Sequence, residues 1–230
     1  MNLKNIPRHV VIIPDGNRRW AKAKGFDSCR GYYEGGGYEK ITDLFNCAKE
    51  LGIRYLSFWG FSTDNWKRSP AERKAIFDTI LKGVERFRKD AEKEEIRFRH
   101  IGRKERIPEK LALELEKLEK ETAKYAKFNV MLCLDYGGRD ELIRAVNKIL
   151  ESGEKEIDEE SFKDYLDTKD FPDPDLIIRT GEKRLSGFMP YQSVYSELYF
   201  TEIYYPDFDS KELKKAVTDF SERKRRFGGN

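Results

Sequence analysis

The sequence predicts a single α/β domain, residues 1–230, in which helices flank a mostly parallel central sheet. Short apolar runs alternate with longer amphipathic segments, and this order favours a parallel sheet that is covered on both faces. No internal repeat and no linker rich in Pro, Gly or Ser divides the 230 residues. Hydrophobic residues make up 38% of the chain, which is enough apolar material for one core.

Five short apolar segments have the composition of strands. They are residues 9–14 (HVVIIP), 54–61 (RYLSFWGF), 96–101, 129–134 (NVMLCL) and 176–178 with their flanks. The first is apolar at every position, so both of its faces are predicted to be buried.

Three segments between these strands have the periodicity or length of helices. Apolar residues recur at intervals of three and four in residues 38–51 and 142–150, and a long charged segment covers residues 70–93. The alternation of strands and helices is therefore the main support for the predicted fold class.

Charge balance and hydropathy exclude several classes of protein. The 45 Lys and Arg residues nearly balance the 42 Asp and Glu residues, and the net charge of +3 disfavours a nucleic-acid partner. The longest aliphatic run, residues 10–13, is far shorter than a membrane span. Residues 1–8 do not resemble a secretion signal, so a cytoplasmic location is expected.

Cysteine and histidine are scarce. Three scattered cysteines without a CxxC pattern do not suggest a disulfide framework or a zinc knuckle. Two histidines offer little material for a Ser/His/Asp triad or a multi-histidine metal site. Any metal is expected to be a hard ion with oxygen ligands, magnesium above all.

The first of three polar loops follows the apolar strand 9–14 and reads DGNRRW from Asp15 to Trp20. An acid at a strand end, a glycine that frees backbone N–H groups and two arginines before a helix are suited to bind a diphosphate. The alternative is a plain turn that leads into a capped helix, but such a turn needs neither the arginines nor the tryptophan.

The other two loops also follow apolar strands, where parallel sheets bind ligands. From Ser62 to Arg68 the chain reads STDNWKR, with hydroxyl, amide and guanidinium groups suited to phosphate oxygens; the alternative is a helix cap with Arg68 paired to Glu72. From Arg179 to Ser186 it reads RTGEKRLS, and arginines at the end of a buried strand are costly without an anion. The alternative for this third loop is a surface hairpin with solvated arginines.

The sequence lacks the common signatures of a nucleotide-binding loop. Neither GxxxxGKS, GxxxxGKT nor GxGxxG occurs in the chain. The loops therefore predict a diphosphate whose organic part is apolar.

Five segments occur together in the order of a known family. They are HVVIIPDGNRRWAKAKG, SFWGFSTDNWKRSPAE, LDYGGRDELIRAV, DLIIRTGEKRLSGF with YQSVYSELYF, and RRFGG near the end. Together they resemble the cis-prenyltransferase family, the undecaprenyl diphosphate synthases and their relatives. The resemblance runs from about His9 to Gly229, nearly the whole chain.

This resemblance implies an enzyme that extends an allylic diphosphate primer, farnesyl or geranylgeranyl diphosphate, with isopentenyl diphosphate. It implies Mg²⁺ as cofactor, a hydrophobic tunnel for the prenyl chain, a homodimer and no nucleic-acid partner. The expected product is a short- to medium-chain polyprenyl diphosphate that serves as a precursor of a glycosyl carrier lipid. A peripheral membrane contact for product release is a further expectation.

The resemblance also implies a role for individual residues. Asp15 would be the catalytic carboxylate and would hold magnesium together with Glu197, and Asn65 would accept a proton. Substrate binding would fall to Gly16, Asn17, Arg18, Arg19, Trp20, Arg30, Glu34, Ser62, Thr63, Asp64, Trp66, Arg68, Arg179, Arg184, Leu185 and Ser186. Arg226 and Gly228 match the C-terminal RxG of the family, which reaches into the active site of the partner in a dimer.

Three positions depart from the family pattern. Glu34 replaces the usual histidine, and next to a diphosphate it would repel unless it binds the metal or pairs with Arg30. The RTGEKRLS loop is one residue shorter than the common form, and Met189-Pro190-Tyr191-Gln192 replaces Leu-Leu-Trp-Gln. These departures leave open a head-to-middle coupling of two prenyl diphosphates.

The helix at residues 71–88 is expected to form one wall of the tunnel. Ile76, Phe77, Ile80, Leu81 and Val84 are the residues predicted to face the prenyl chain, with ordinary core packing as the alternative. Two other classes of protein remain open: a non-catalytic subunit that contributes only its C-terminal RxG, and an RNA-binding protein based on the basic cluster 223–226.

Overall fold

All six strands of the central sheet run parallel. The computed structural model describes residues 4–226. The strands are β1 His9–Ile13, β2 Tyr55–Ser62, β3 Ile96–Ile101, β4 Phe128–Tyr136, β5 Leu176–Thr180 and β6 Glu197–Thr201. Their order across the sheet is β3-β4-β2-β1-β5-β6, so β1 lies near the centre and β3 and β6 form the edges.

Eight α-helices connect or flank these strands. They are α1 Asn17–Ala23, α2 Ser28–Gly35, α3 Tyr38–Glu50, α4 Pro70–Lys93, α5 Glu109–Thr122, α6 Gly138–Ser152, α7 Glu159–Lys163 and α8 Ser210–Glu222. Short 3₁₀ turns occupy Thr63–Lys67, Lys104–Arg106 and Tyr205–Asp207. None of the helices in residues 4–226 is both long and apolar enough to cross a bilayer.

Both faces of the sheet are buried, as the apolar first strand predicts. Along β1, Val10 and Ile12 join the larger core under the helices, whereas Val11 and Ile13 join a second core on the opposite face. This division follows from the period of two in a strand, which directs successive side chains to opposite faces. The predicted parallel α/β fold is confirmed.

One strand is absent from the sequence prediction. β6 pairs with β5 at the edge of the sheet, and all five of its residues are only partly buried. Because an edge strand with mixed exposure has neither a continuous apolar run nor a clean alternation, its composition does not mark it as a strand.

The longest helix begins at a strong local signal. Ser69 caps α4 by accepting a hydrogen bond from the backbone N–H of Glu72, and the Glu72 side chain bonds back to the N–H of Ser69. Pro70 occupies the first turn, where its missing N–H costs nothing. This capping box places the start of α4 directly after the polar loop 62–68.

Helix α6 was predicted correctly, but its apolar stripe does not face the core. Ile143, Val146 and Leu150 are exposed, while Glu141 and Ala145 are buried. The buried Glu141 accepts hydrogen bonds from Tyr136 at 2.6 Å and from Gln192 at 2.9 Å, which explains why a charged residue occupies the inner face.

Candidate active site

The three polar loops meet at the carboxyl edge of the sheet, at the mouth of a cavity of about 420 Å³. The loops follow β1, β2 and β5, and parallel strands bring their carboxyl ends to the same edge. The polar residues that line this cavity include Asp15, Asn17, Ser62, Asp64, Asn65, Arg68, Arg179 and Ser186. The cavity therefore has a polar mouth and, farther in, apolar walls.

Asp15 lies in a strongly positive environment. Its Oδ2 accepts a hydrogen bond from Arg179 Nη2 at 2.8 Å, and its Oδ1 lies 3.4 Å from Arg19 Nη2. Partial burial opposes ionisation, but the hydrogen bond and charge of Arg179 lower the pKa of Asp15 below its usual value. The carboxylate is thus held ionised at the cavity mouth.

Arg179 is a buried arginine with its guanidinium directed at the site. It donates to Ser186 Oγ at 2.7 Å and to the carbonyl oxygen of Arg184 at 2.5 Å, in addition to Asp15. A buried guanidinium needs compensating oxygens, and these three groups supply them to Nη1 and Nη2, whereas the buried Nε has no hydrogen-bond partner within residues 4–226. The third loop is therefore built around one buried cation rather than around solvated arginines.

The turn after β1 requires a glycine. Gly16 has a φ of +93°, and a Cβ at this position would collide with the ring of Tyr204. Thr180 also holds this turn, because its hydroxyl accepts the N–H of Asp15 at 2.8 Å and approaches the Asp15 carbonyl at 2.8 Å. These contacts fix the direction of the Asp15 side chain.

The second loop presents an amide and a guanidinium to the cavity. Asn65 Oδ1 accepts the backbone N–H of Ser62 at 3.2 Å, and the Ser62 side chain accepts the backbone N–H of Asn65. The guanidinium of Arg68 lies 5.5 Å from the ring centroid of Tyr32. Burial lowers the pKa of Arg68 below its usual value.

The inner part of the cavity is apolar. Ile76, Ile80 and Val84 of α4 line it at intervals of four. Phe45 and Phe87 also line it, and their ring centroids lie 5.2 Å apart. The same two rings line a second pocket of about 160 Å³ between α3 and α4, so they form a partition between the two spaces. We call this pair the aromatic floor.

A polar mouth that carries Asp15 and Arg179 thus lies above an apolar chamber, and comparison with known proteins identifies the family. The family described as "Putative undecaprenyl diphosphate synthase" matches residues 13–228.

The chain belongs to this undecaprenyl diphosphate synthase family.

Relatives within the family extend over almost the whole chain. The isoprenyl transferase of Fusobacterium nucleatum subsp. nucleatum is 45% identical over 98% of this chain and 97% of its own length. The isoprenyl transferase of Aquifex pyrophilus is 44% identical, with 99% and 98% covered. The protein is accordingly an enzyme, a prenyltransferase of isoprenoid biosynthesis.

Two solved structures share the fold. Lavandulyl diphosphate synthase from Lavandula x intermedia, in complex with dimethylallyl diphosphate, has a TM-score of 0.91 and 33% identity over 97% of this chain and 98% of its own. A probable undecaprenyl diphosphate synthase from Campylobacter jejuni has a TM-score of 0.82 and 32% identity over 97% and 99%.

Several predicted basic residues lie at the rim of this prenyltransferase site rather than on its wall. Arg18 lies 3.8 Å from Glu72, Arg19 lies 3.0 Å from Glu182, and Arg184 lies 2.6 Å from Glu182. These side chains are paired with carboxylates at or near the mouth. They are available to an anionic substrate only in competition with those carboxylates.

Glu34 pairs with Arg30 at 2.6 Å, one of the two arrangements expected for an acid at the usual histidine position. Both side chains are exposed, and neither lines the cavity. In the structure the carboxylate is therefore neutralised at the rim by its neighbour one helical turn away.

Five other predicted substrate-binding residues, Gly16 among them, do not line the cavity. Trp20 donates to Asp207 at 2.8 Å, Trp66 donates to Asp135 at 2.7 Å, and Leu185 packs against the second core. Thr63 lies against Gly137, where an added Cβ would approach its hydroxyl to 2.5 Å. The two tryptophans are oriented by these hydrogen bonds, which their indole N–H groups require inside the protein.

The predicted wall of α4 needs a similar correction. Phe77 stacks on Phe61 with 4.7 Å between ring centroids, and Leu81 packs against the larger core. Neither lines the cavity. Because a residue lies about 100° around the helix from the next, the face with Ile76, Ile80 and Val84 directs Phe77 and Leu81 away from the chamber.

Glu197 is not brought to Asp15 within one chain, which corrects the predicted pair of metal ligands. Glu197 begins β6 and pairs with Leu176 at the first position of β5, whereas Ile13, two residues before Asp15, is level with Arg179. At about 3.3 Å per residue, Glu197 lies roughly 10 Å from the level of Ile13, toward the amino edge of the sheet. Asp15 follows Ile13 on the opposite side, at the carboxyl edge. At the amino edge, Glu197 forms an ion pair with Arg223 at 2.8 Å.

Arg226, which matches the arginine of the family's C-terminal RxG, also lies near the amino edge of the sheet. Arg225 pairs with Asp175 at 2.7 Å, and this anchors the tail at the amino edge. Arg226 is exposed beside it, and Gly228 lies outside the described residues. Within its own chain, Arg226 is therefore remote from Asp15.

The residues at the mouth fit one Mg²⁺ ion shared with a substrate. Residues 4–226 hold no cluster of three or more His, Cys, Asp or Glu side chains suited to a metal. Mg²⁺ commonly binds through one or two carboxylates together with substrate phosphates and water, so it does not need such a cluster. The ionised and partly exposed Asp15 is the carboxylate that meets this requirement.

Sequence reasoning missed several residues of the site. Thr180 fixes the Asp15 turn, Tyr32 faces Arg68, and Phe45 and Phe87 form the aromatic floor. The periodicity of residues 38–51 places Tyr38, Ile41 and Phe45 on one helical face, which was a usable signal for that side of the chamber. No sequence signal marks Thr180 as a partner of Asp15.

Proposed function

We propose that the protein is a Mg²⁺-dependent cis-prenyltransferase that condenses isopentenyl diphosphate with an allylic diphosphate primer. The product would be a short- to medium-chain polyprenyl diphosphate, a precursor of a glycosyl carrier lipid. The observation that supports this proposal most directly is the single cavity in which the Asp15–Arg179 pair at the mouth adjoins an apolar chamber. The charged mouth would bind the diphosphate, and the apolar chamber would hold the prenyl chain.

The chain's own residues would bind and orient the two diphosphates. Arg179 presents a buried guanidinium group and Arg68 a partly buried one, and such groups recognise phosphate oxygens strongly in a partly desolvated site. Asp15 would hold Mg²⁺, and the bound ion would supply positive charge against the departing diphosphate. Within the chain itself Asp15 neutralises Arg179, which avoids an unpaired buried charge.

Condensation joins the allylic carbon of the primer to the terminal alkene carbon of isopentenyl diphosphate. The carbon–oxygen bond to the primer's diphosphate breaks, and a proton leaves the isopentenyl unit. We assign Asn65 to this proton, because its amide lines the cavity beside Ser62 and is held by the reciprocal bonds of the 3₁₀ turn. Ser62 would assist through its hydroxyl.

Elongation would continue while the chamber has room. Burial of one five-carbon unit is worth about 4 kcal/mol at roughly 0.8 kcal/mol per CH₂ group. The aromatic floor blocks the chamber at Phe45 and Phe87, so we expect chain growth to stop when the prenyl tail reaches these rings. We therefore expect a product of short to medium length.

We also propose that the enzyme works as a homodimer. Arg226 lies at the amino edge of the sheet, so its predicted contact with a substrate requires the site of a second copy. The exposed stripe of Ile143, Val146 and Leu150 on α6 offers an apolar surface for such a copy. The product is a lipid, and we expect a peripheral membrane contact when it is released.

A second candidate reaction is head-to-middle coupling of two prenyl diphosphates. The similarity to lavandulyl diphosphate synthase, with its bound dimethylallyl diphosphate, favours a test with this short substrate. The departure at Met189–Gln192 gives the idea little support, because Met189, which replaces the usual Leu, is buried in the second core and does not line the cavity.

The test is a product analysis with matched primers. Purified protein is incubated with Mg²⁺, isopentenyl diphosphate and either dimethylallyl, farnesyl or geranylgeranyl diphosphate, and products are identified by mass spectrometry. A primer extended by whole five-carbon units is the expected result, and Asp15→Ala should abolish it. A product formed from dimethylallyl diphosphate in a parallel reaction without isopentenyl diphosphate would indicate the second candidate, and absence of product in every reaction would refute both.

A further inference from the structure

The loop that presents Asn65 is poorly held by the sheet that precedes it. The pairing of β2 with β4 has register shifts between Trp59 and Phe61 and again between Phe61 and Ser62. The 3₁₀ turn Thr63–Lys67 begins directly after these shifts. Because the regular ladder is interrupted there, it does not by itself fix the position of Asn65.

A side-chain bond from the far side of the turn compensates for this interruption. Trp66, next to Asn65, donates its indole N–H to Asp135 Oδ1 at 2.7 Å. Asp135 is fully buried at the end of β4 and does not line the cavity. The bond thus ties the catalytic turn to the carboxyl end of β4 from a position that no substrate reaches.

Asp135 is itself held from two sides. Its Oδ2 forms an ion pair with Arg106, 2.9 Å from Nε but without hydrogen-bond geometry, and its backbone adopts a φ of +47°, a left-handed conformation that Asp and Asn tolerate better than most residues. Burial raises the pKa of Asp135, while the Trp66 hydrogen bond and the Arg106 charge oppose that rise. The carboxylate is therefore a fixed acceptor rather than a mobile surface acid.

Packing leaves Trp66 with one orientation. Its ring lies 5.2 Å from that of Phe61 and 5.8 Å from that of Phe77, between centroids. The guanidinium of Arg73 lies 5.6 Å from the ring, and Arg73 also donates to the Trp66 carbonyl at 3.2 Å. With the ring enclosed in this way, a shift of the indole would move the backbone of the turn and with it Asn65.

We propose that Asp135 is a positioning residue that acts through Trp66 to hold Asn65 in its productive place. This inference rests on the role proposed above for Asn65. Asp135 touches no substrate, so its loss should lower kcat and leave the KM for both diphosphates nearly unchanged. A misplacement of about 1 Å costs up to roughly 100-fold in rate, and we expect a loss of about 10- to 100-fold.

Three variants separate the indole bond from other effects. Asp135→Ala removes the acceptor, and Asp135→Asn keeps an oxygen acceptor and the tolerance for positive φ while losing the charge. Arg106 is 41% exposed and can be solvated, so Asp135→Asn should retain most of the activity. Trp66→Phe removes the N–H together with one ring of the indole, keeps an aromatic ring against Phe61 and Phe77, and leaves the backbone of residue 135 unaltered.

The matched control is Leu213→Ala in α8. Leu213 is fully buried and lies outside the cavity lining, so this variant loses stability without a change at the turn. At a temperature well below all melting points, it should keep the kcat of the wild type. A similar loss of kcat in this control would show that general destabilisation explains the Asp135 effect, and the proposal would be overturned.

The test combines kinetics with amide hydrogen exchange of residues 61–68. We expect Asp135→Ala and Trp66→Phe to lower kcat alike, the double variant to lose little more than either, and both to speed exchange in this segment. Unchanged exchange in Asp135→Ala, or additive losses of kcat, would overturn the proposal. If the wild type makes no prenyl product, the proposed function fails, and the exchange of residues 61–68 still decides whether Asp135 holds the turn.

Discussion

The most direct prediction concerns the carboxylate at the cavity mouth. Asp15→Asn leaves the guanidinium of Arg179, whose side chain is only 6% exposed, without its counter-ion. Removal of one partner from a buried pair costs about 3–5 kcal/mol, but the Asp15 side chain is 34% exposed and solvent screens part of that cost. We therefore expect a loss of about 2 kcal/mol in the free energy of unfolding.

For a chain of this size, 2 kcal/mol corresponds to a decrease in melting temperature of about 4–8 °C. Pyrophosphate should reverse this loss, because an anion at Arg179 replaces the missing carboxylate. A ligand at 100 times its Kd adds about 2.7 kcal/mol, so the variant should regain a melting temperature close to that of the wild type. Prenyl transfer should nevertheless stay absent.

The assay is thermal unfolding followed by circular dichroism, with and without pyrophosphate. Asp64→Asn is the matched control, because Asp64 is a well-exposed acid at the same mouth that pairs with Lys67 at 2.7 Å. An exposed pair contributes less than about 1 kcal/mol. The assigned coupling between Asp15 and Arg179 is wrong if Asp15→Asn and Asp64→Asn have the same melting temperature. It is also wrong if pyrophosphate raises the melting temperature of Asp15→Asn no more than that of the control.

Three further predictions follow from the same structure. Phe87→Ala should open the aromatic floor to the second pocket and lengthen the product by about one five-carbon unit. The free energy of unfolding should decrease by about 3–5 kcal/mol. Products of unchanged length in mass spectrometry would contradict this prediction. Glu34→Gln should free Arg30 and lower the KM for the primer, with a change in melting temperature near zero; an unaltered KM would place the pair outside the substrate path. His9 and His100 are buried, and desolvation lowers the pKa of each from the usual 6.5 to about 4. Between pH 6.5 and pH 4 the unfolded chain therefore binds more protons at these histidines than the folded chain does. Stability should therefore fall by about 3 kcal/mol per histidine from pH 6.5 to pH 4, and urea unfolding that is independent of pH over this range would refute the assignment.

Much of the site could be predicted because parallel strands place their carboxyl ends at one edge. Asp15, Asn65 and Arg179 are far apart in the sequence, yet each follows an apolar strand closely, and the structure gathers all three at one cavity. Local signals were equally reliable at the start of α4, where the Ser69–Glu72 capping box is readable from the sequence.

The errors concern the direction of side chains and the level of a residue along the sheet. Trp66 belongs to a polar loop that matches a family motif in the sequence, but its ring packs against Phe61 and its indole N–H donates to Asp135 inside the protein. Glu197 lies in a family motif, but the register of β6 against β5 places it at the amino edge. Neither outcome follows from residue type or spacing.

The sequence by itself determined the fold class and the chemistry of the cavity mouth. Strand periodicity, helix caps and the residues just after each strand depend on short-range interactions, which a sequence displays directly. Only the tertiary structure decided that Thr180 holds Asp15, that Phe45 and Phe87 close the chamber, and that Asp135 ties down the Asn65 turn. Those contacts join residues distant along the chain, and they depend on strand register and helix rotation, which packing of the whole core sets.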